Sequence, residues 1–475
     1  MSRQLVWLRA DLRIHDNPAL YAASQAGSVV AVFVFTPVQW QAHGWGLRRQ
    51  AWVHQQLADV AQSLATLNIP LKCLVLSDFA AVPAALLALA RQCQIQTLHF
   101  NDEYEWNERC RDQQVVALFE AAGIGVQRYT DQVLVTPGQL LTQQAGFYTV
   151  FTPFYRRWMQ LYANQPPQPL PAPTPQATTS LTADPLPAAP SISLQGWLAG
   201  EEIALTRLAQ FCDQALPDYQ RCRDFPALPG TSQLSAWLAV GALSTRQCLS
   251  AVWVRYPHQV LDKQTGPGCW VSELLWREFY RHLLVGFPQL SKSRAFKPET
   301  EQLAWRDVRD ETVAAQLAAW KAGQTGFPLV DAAMRQLKQT GWMHNRLRML
   351  TAMFLSKHLL IDWRVGEAWF MDQLVDGDLA SNNGGWQWAA STGTDAAPYF
   401  RLFNPYSQSQ KFDPKGAFIR QYVPELAGLD DRRIHCPPMK TLETDLFSSL
   451  DYPSPIVDLQ AARARVLDAF QRLKT

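Results

Sequence analysis

Glu273, Trp276, Arg277 and Tyr280, in the run ELLWREFY, stand at offsets of three, four and seven. On a helix that spacing gathers a carboxylate, two aromatic rings and a guanidinium on one face. Such a face can stack on a flat ligand and hydrogen-bond its edges, or it can be an amphipathic surface with a Glu/Arg pair at its rim. In HNRLRM, Asn345 and Met349 share a second face, with Arg348 adjacent and Arg346 pointing elsewhere. From Arg335 to Arg364 six Lys/Arg meet one acid, Asp362, with Trp342 and Trp363 among them. This mixture suits a nucleic-acid surface or a solvated helix face.

In VDGDLASNNGGWQW, Asp376, Gly377, Asp378 and Asn382 fall among glycines, where backbone can approach a ligand closely. Three readings stand: a turn with helix caps, a ligand site, or a hard-oxygen metal site. Trp386 and Trp388, two residues apart, point in different directions on a helix. The segment Gly230, Thr231, Ser232, Gln233, Leu234, Ser235 opens a helix. Its free N–H groups could hold an anion such as a diphosphate, or its hydroxyls could simply cap the helix.

The elements that must position these groups fall into two kinds. Short β-rich runs at Gln4–Arg9, Val29–Phe35, Leu71–Leu76, Thr97–Asn101 and Val126–Tyr129 alternate with helical stretches. The alternation predicts a parallel sheet covered by helices, a Rossmann-like α/β domain over 1–135. Between the second and third strands, Arg48–Leu67 carries Val53, Leu57, Val60, Leu64 and Leu67 at helical spacing. No GxGxxG follows the first strand, which argues against a dinucleotide site there. Residues 136–200 read as a connector, Pro-rich between Asn164 and Pro190. From about Glu201 the periodicity is helical, so 201–475 should be a mostly α domain.

Composition bounds the rest. The chain has 475 residues, 48% of them hydrophobic, enough for two cores, and a net charge of only +2. Any nucleic-acid surface must therefore be local. Eight cysteines without CxxC or zinc-finger spacing point to a reduced, cytoplasmic protein with no structural metal. Arginines in MSRQLVWLRADLR exclude a signal peptide, no apolar run is long enough for a bilayer, and no tail is expected beyond the last helix. Of 18 tryptophans, seven lie from Trp305 to Trp388.

Taken in order, LVWLRADLRIHDNPAL, NDEYEWNER, RDFPALPGTSQLSAWLAVGALS, ELLWREFYRHLL, GFPLVDAAMRQLKQTGWMHNRLRM and DGDLASNNGGWQWAASTGTDAAPYFRLFNP resemble the photolyase/cryptochrome family, nearest to bacterial class I cyclobutane-dimer photolyases. The resemblance implies that the helical domain binds FAD through Tyr219, Thr231 to Ser235, Trp270, Arg348, Asp376, Gly377, Asp378 and Asn382. Asn382 would lie near flavin N5, where a neutral amide accepts a hydrogen bond without adding charge beside the reduced, anionic flavin. Arg348 and Asp376 match a pair that supports the flavin. Trp386, Trp363 and Trp305 match an electron chain from inner to outer, although the flanks of Trp305 depart from the pattern.

On the substrate side, Glu273, Trp276, Asn345, Met349 and Trp388 match the dimer pocket, with Arg277 and Tyr280 on the same helix face. Arg223, Arg346 and Arg401 match contacts to the DNA backbone. Photolyases flip their target out of the duplex, and a pocket of tryptophans with Glu273 and Asn345 suits a flipped pyrimidine pair. Six-four enzymes carry histidines where Asn345 and Met349 stand, so the implied lesion is the cyclobutane dimer. Asn107, Glu108 and Lys292 match an antenna site for 5,10-methenyltetrahydrofolate. Ser291 departs from that pattern and leaves a deazaflavin as the alternative. The implied activity is light-driven dimer repair by a monomer that needs damaged DNA but no protein partner. A cryptochrome-type blue-light receptor is the rival; an ordinary nicotinamide flavoenzyme lacks its fingerprint, and a DNA-binding module leaves Asp376 to Asn382 unexplained.

Overall fold

The computed structural model describes residues 2–162, 166–438 and 451–473. Parallel strands β1 (Arg3–Leu8), β2 (Ser28–Phe35), β3 (Leu71–Val75), β4 (Thr97–Asn101) and β5 (Gly125–Tyr129) form a sheet in the order β3-β2-β1-β4-β5. Each lies within one residue of its expected bounds. Helices cover the sheet, so β1 reads as a continuous apolar run, with Leu5, Val6, Trp7 and Leu8 all buried. The helix Leu47–Thr66 buries Val53, Leu57, Val60 and Leu64, the stripe its spacing predicts.

The loop after β1 is filled by its own side chains. Asp11 accepts from Arg9 N and from Asn101 Nδ2, both at 2.6 Å, and Arg13 pairs with Asp131 at 2.5 Å. Asn17 caps the next helix by accepting from Leu20 N at 3.1 Å. These contacts tie the loop to β4 and to Asp131.

Residues 163–165, within the expected connector and including the start of its Pro-rich stretch, lie outside the described residues. Before them runs the helix Phe151–Tyr162, and after them 166–200 is without helix or strand, as its prolines dictate. This stretch lies along the sheet's edge strand β3: Asp184 N donates to Leu71 O, while its carboxylate pairs with Lys72 at 2.8 Å and accepts from Cys73 N at 3.1 Å. An edge strand so covered cannot pair with another chain.

The chain forms two compact units: Met1–Gln220 with Ser232–Lys292 and Val375–Ala380, and Arg221–Thr231 with Ser293–Leu374 and Ser381–Thr475. The first holds the sheet. The second has no strand among its described residues, and its core gathers Trp320, Phe327, Leu347, Met353, Trp363, Phe370 and Trp386. Among the described residues no helix is long and apolar enough to cross a membrane.

Candidate functional site

In the first unit the helix Gly266–Gly286 starts from Thr265, whose hydroxyl accepts from Gly268 N at 3.1 Å. A Cβ on Gly266 or Gly268 would come within 2.0 Å of a backbone oxygen of Leu216 or Asp262, so only glycine allows this start. Glu273, Trp276, Arg277 and Tyr280 follow as a half-buried strip. Phe151 stacks on Trp276 with centroids 3.8 Å apart at 11°, and Tyr280 lies 5.7 Å from the same ring. Arg277 departs from the ligand-facing role expected of it. Its guanidinium donates to Gln132 O at 2.7 Å, Leu238 O at 2.9 Å and Thr245 Oγ1 at 3.3 Å, while burial and Arg281 push it down to about 10. It positions backbone instead.

Trp270 is buried against Phe211 at 5.1 Å, and Phe211 meets Tyr219 edge-on at 5.9 Å. The helix Ser235–Val240 has Leu234 at its N-cap and no side-chain cap. Ordinary Ser/Thr capping is therefore not how it begins. Ser232 Oγ accepts instead from Leu234 N at 3.4 Å, Arg207 Nε donates to Ser232 O at 3.1 Å, and Gln233 sits at a φ of 53. Asp376 and Gly377 are buried, and Asp378 pairs with Arg281 at 2.5 Å. That pairing takes the second carboxylate of the possible metal pair, and the described residues contain no group of three His/Cys/Asp/Glu able to hold a metal.

The second unit carries Thr231, Arg223, Asn345, Arg346, Arg348, Met349, Asn382, Trp388 and Arg401. Asn345 opens the helix Asn345–Met353 next to its cap, His344, whose Nδ1 accepts from Arg346 N at 3.2 Å. Asn345 is exposed and Met349 half-buried, so the face read from their spacing looks outward. Arg346 pairs with Asp224 at 2.7 Å and lies over the Phe412 ring at 4.5 Å. Arg348 Nε donates to Met343 O at 2.8 Å, Arg223 is half-buried, and Arg401 is exposed.

Asn382 donates its amide N–H to Glu367 O at 3.0 Å, which leaves Oδ1 as the accepting end. Beside it Asn383 Nδ2 donates to the Glu367 carboxyl at 2.9 Å, and Asn383 Oδ1 accepts from Gln387 Nε2 at 2.8 Å. Glu367 escaped the sequence reading because nothing in WRVGEAWF marks its carboxyl as buried. Burial pushes it up to about 7, against the Asn383 hydrogen bond and the Arg364 charge. The folded protein thus keeps a proton that the unfolded chain releases near its ordinary 4.5. This contribution to stability is full below that value and is lost as pH rises through about 7. Denaturant unfolding should show a loss of up to about 3 kcal/mol across this window that Glu367→Gln removes; an unchanged pH dependence in the variant would assign the effect elsewhere.

Trp386 and Trp363 are buried, and Trp305 is half-buried against the same core. The Trp386 indole lies on Gly366 so closely that a Cβ there would come 2.1 Å from the ring. Phe370 at 5.0 Å and Trp320 at 6.1 Å pack edge-on to it. Trp320 was not singled out by spacing. The Trp386 Nε1 is buried without a hydrogen-bond partner among the described residues.

Back in the first unit, Asn107 reaches His43 Nε2 at 2.9 Å and Glu108 approaches His43 Nδ1 at 3.3 Å. Lys292 Nζ lies 4.0 Å over Trp106, the residue before Asn107, which places the three expected antenna residues in one neighbourhood. Nearby, Trp40 stacks on Trp45, Arg49 lies 3.7 Å over Trp45, and burial with Glu108 and Glu103 pushes Glu105 up to about 7. Burial alone would raise Glu108, but the His43 hydrogen bond and charge and the Arg111 charge outweigh it and hold that carboxyl down.

Residues 4–176 match the family described as DNA photolyase, and residues 270–472 match the FAD binding domain of DNA photolyase. A deoxyribodipyrimidine photo-lyase of Salmonella typhimurium is 44% identical over 479 residues, covering 99% of each chain. The chain belongs to the DNA photolyase family. Among solved structures of photolyases and their kin, a bacterial class III photolyase from Agrobacterium tumefaciens superimposes with a TM-score of 0.88 at 35% identity, covering 100% of this chain and 98% of that one. A cryptochrome from Synechocystis follows at 0.84 and 29%, covering 99% of each. Photolyase and cryptochrome thus share the fold, and what separates them must lie in side chains.

Proposed function

We infer that this chain is a light-driven DNA repair enzyme, a deoxyribodipyrimidine photo-lyase that opens cyclobutane pyrimidine dimers. The observation that carries this reading is identity of 44% over essentially the whole length to an enzyme so named. Two faces support it, each partly open to solvent within its own unit: Glu273 with Trp276 in the first and Asn345 with Met349 in the second. When bound, reduced FAD supplies the electron that opens the dimer and takes it back afterwards, so no net redox change occurs. The residues present fit such a cofactor. Asn382 has an amide N–H engaged by Glu367 O, which leaves its oxygen as the accepting end, and the helix after Leu234 begins without a side-chain cap.

In this reading residues 1–135 hold the antenna, 136–200 connect, and 201–475 hold flavin and DNA. Tyr219, Thr231 to Ser235, Trp270, Arg348, Asp376 to Asp378 and Asn382 hold FAD. Trp276, Trp388 and Met349 give the flipped dimer apolar and stacking surface, and Glu273 and Asn345 hydrogen-bond pyrimidine edges. Arg223, Arg346 and Arg401 hold phosphates. Arg346 must release or share Asp224 to do so. Trp386, whose N–H meets no acceptor among the described residues, keeps its proton if oxidised, so a positive hole passes outward toward Trp363 and Trp305 rather than being trapped. Asn107, Glu108 and Lys292 hold a folate antenna, with the indole of Trp106 under Lys292; the protein acts as a monomer in the cytoplasm.

The likeness to the Synechocystis cryptochrome supports a light receptor as the second reading. Thymine-dimer DNA incubated with the reduced protein under near-ultraviolet to blue light should be restored, and dark samples should not. Equal dimer counts in light and dark with the flavin reduced would overturn the repair reading. The spectrum of chromophores released on denaturation distinguishes folate from deazaflavin.

A further inference from the structure

After the helix Asn345–Met353 the chain widens into a π-helical turn, Phe354–His358, closed by Leu359 N donating to Phe354 O at 3.0 Å. Such turns occur often at functional sites. This one directs two basic side chains at a single loop. Lys357 is fully buried, and its Nζ donates to Arg401 O at 2.9 Å and Pro398 O at 3.3 Å. His358 Nε2 meets Phe403 O at 2.8 Å, and Lys297 Nζ donates to Ser391 O at 3.3 Å. The loop 391–403 held in this way carries exposed Arg401, and two of its non-glycine residues, Ser391 and Asp395, have φ values of 67 and 44.

The charged groups acting on Lys357 are Arg401 and Lys297, both positive. Beside it stands His358, which burial pushes down to about 4, so it is neutral at physiological pH. Behind the turn Arg465 donates to His358 O at 2.6 Å, and Arg306 donates to Leu359 O at 3.0 Å. A buried ammonium whose hydrogen bonds all go to neutral carbonyls, with cations as its charged neighbours, gains most from an arriving anion. Without one, burial and the two cations push Lys357 down to about 7. A neutral amine retains two N–H donors, enough for both carbonyls, so the loop geometry does not require the charge.

We propose that Lys297, Lys357 and Arg401 form a proton-linked phosphate seat: a DNA backbone phosphate meeting Arg401 and Lys297 stabilises the protonated form of Lys357, which takes up a proton from solvent as damaged DNA binds. This rests on the reading of the chain as a dimer-repair enzyme. It makes Lys357 a buried contributor to DNA affinity that never touches the strand.

Calorimetric titration of the flavin-loaded protein with a short thymine-dimer duplex, in two buffers of different ionisation enthalpy at about pH 7.5, tests it. Wild type should take up to about three-quarters of a proton per complex. Lys357→Gln and Lys357→Met should take up correspondingly less, with a flatter rise of Kd between about pH 7 and 8.5. In Arg401→Ala, altered only at an exposed side chain, the phosphate loses one of its contacts and Lys357 loses one cationic neighbour, so the uptake should shrink as well. Tight lesion binding by wild type without uptake, or uptake unchanged in the Lys357 variants, would overturn the seat and leave the repair reading standing. Absence of lesion binding at every pH would overturn both.

Discussion

Trp386→Phe is expected to abolish measurable photoreduction of oxidised flavin while leaving repair near wild type once the flavin is reduced chemically. The reason lies in the separation of two tasks. Electron supply from the protein needs an easily oxidised ring beside the cofactor, whereas opening the dimer needs only the reduced cofactor and the pocket. Phenylalanine is far harder to oxidise than an indole, so the proposed chain from Trp386 to Trp363 and Trp305 would lose its first step. Anaerobic bleaching of the flavin under blue light, followed by a repair assay on dithionite-reduced protein, reads both. The truncated ring leaves a gap against Gly366, Phe370 and Trp320, which should cost about 1–2 kcal/mol in stability. Trp320→Phe serves as the control: it removes the indole packed at 6.1 Å but should leave photoreduction in place if the hole travels through Trp363 and Trp305. Loss of repair by pre-reduced Trp386→Phe would contradict the separation, and loss of photoreduction in Trp320→Phe would redirect the chain.

Asn382→Asp should strike the complementary task. The wild-type amide donates to Glu367 O and keeps its oxygen as the accepting end, which in the proposed site faces the cofactor; there a carboxylate would set an acceptor against that carbonyl and a charge beside the anionic flavin. The neighbouring Glu367 carboxyl already titrates near 7 because it is buried, so the pocket tolerates added negative charge poorly. An uncompensated charge in such a place costs about 3 kcal/mol, which corresponds to repair on the order of 100-fold slower at saturating DNA. Flavin content and lesion Kd, measured separately, distinguish a weakened cofactor site from slower chemistry. Repair at the wild-type rate by a fully loaded Asp variant would refute the role given to the amide.

Much of this was legible in the chain because it depends on periodicity. A buried parallel strand must be apolar on both faces, so β1 and β2 announce themselves, and a sheet-covering helix must repeat its apolar residues at three and four, as Leu47–Thr66 does. Asn345 with Met349, and Glu273 with Trp276 and Tyr280, were visible for the same reason: helical spacing places them on a face before any packing is known. Long segments in register, from LVWLRADLR to GGWQWAASTGTDAAPYF, carried the family where individual short motifs could not.

Other assignments depended on partners distant in sequence. Arg277 has the spacing of a pocket residue, yet Gln132 and Leu238 claim its guanidinium; Asp378 has the look of a metal ligand, yet Arg281 neutralises it. Glu367 and Lys357 carry no local mark at all, since a carboxyl or an ammonium is unremarkable until the fold buries it among groups that do not balance it. Spacing along one helix fixes direction, and composition fixes which chemistry is possible. Hydrogen-bond commitment and desolvation arise only when distant segments meet, so the chain alone could place Arg277 on its helix face and Asp378 among its glycines but could not name the distant groups that pair with them.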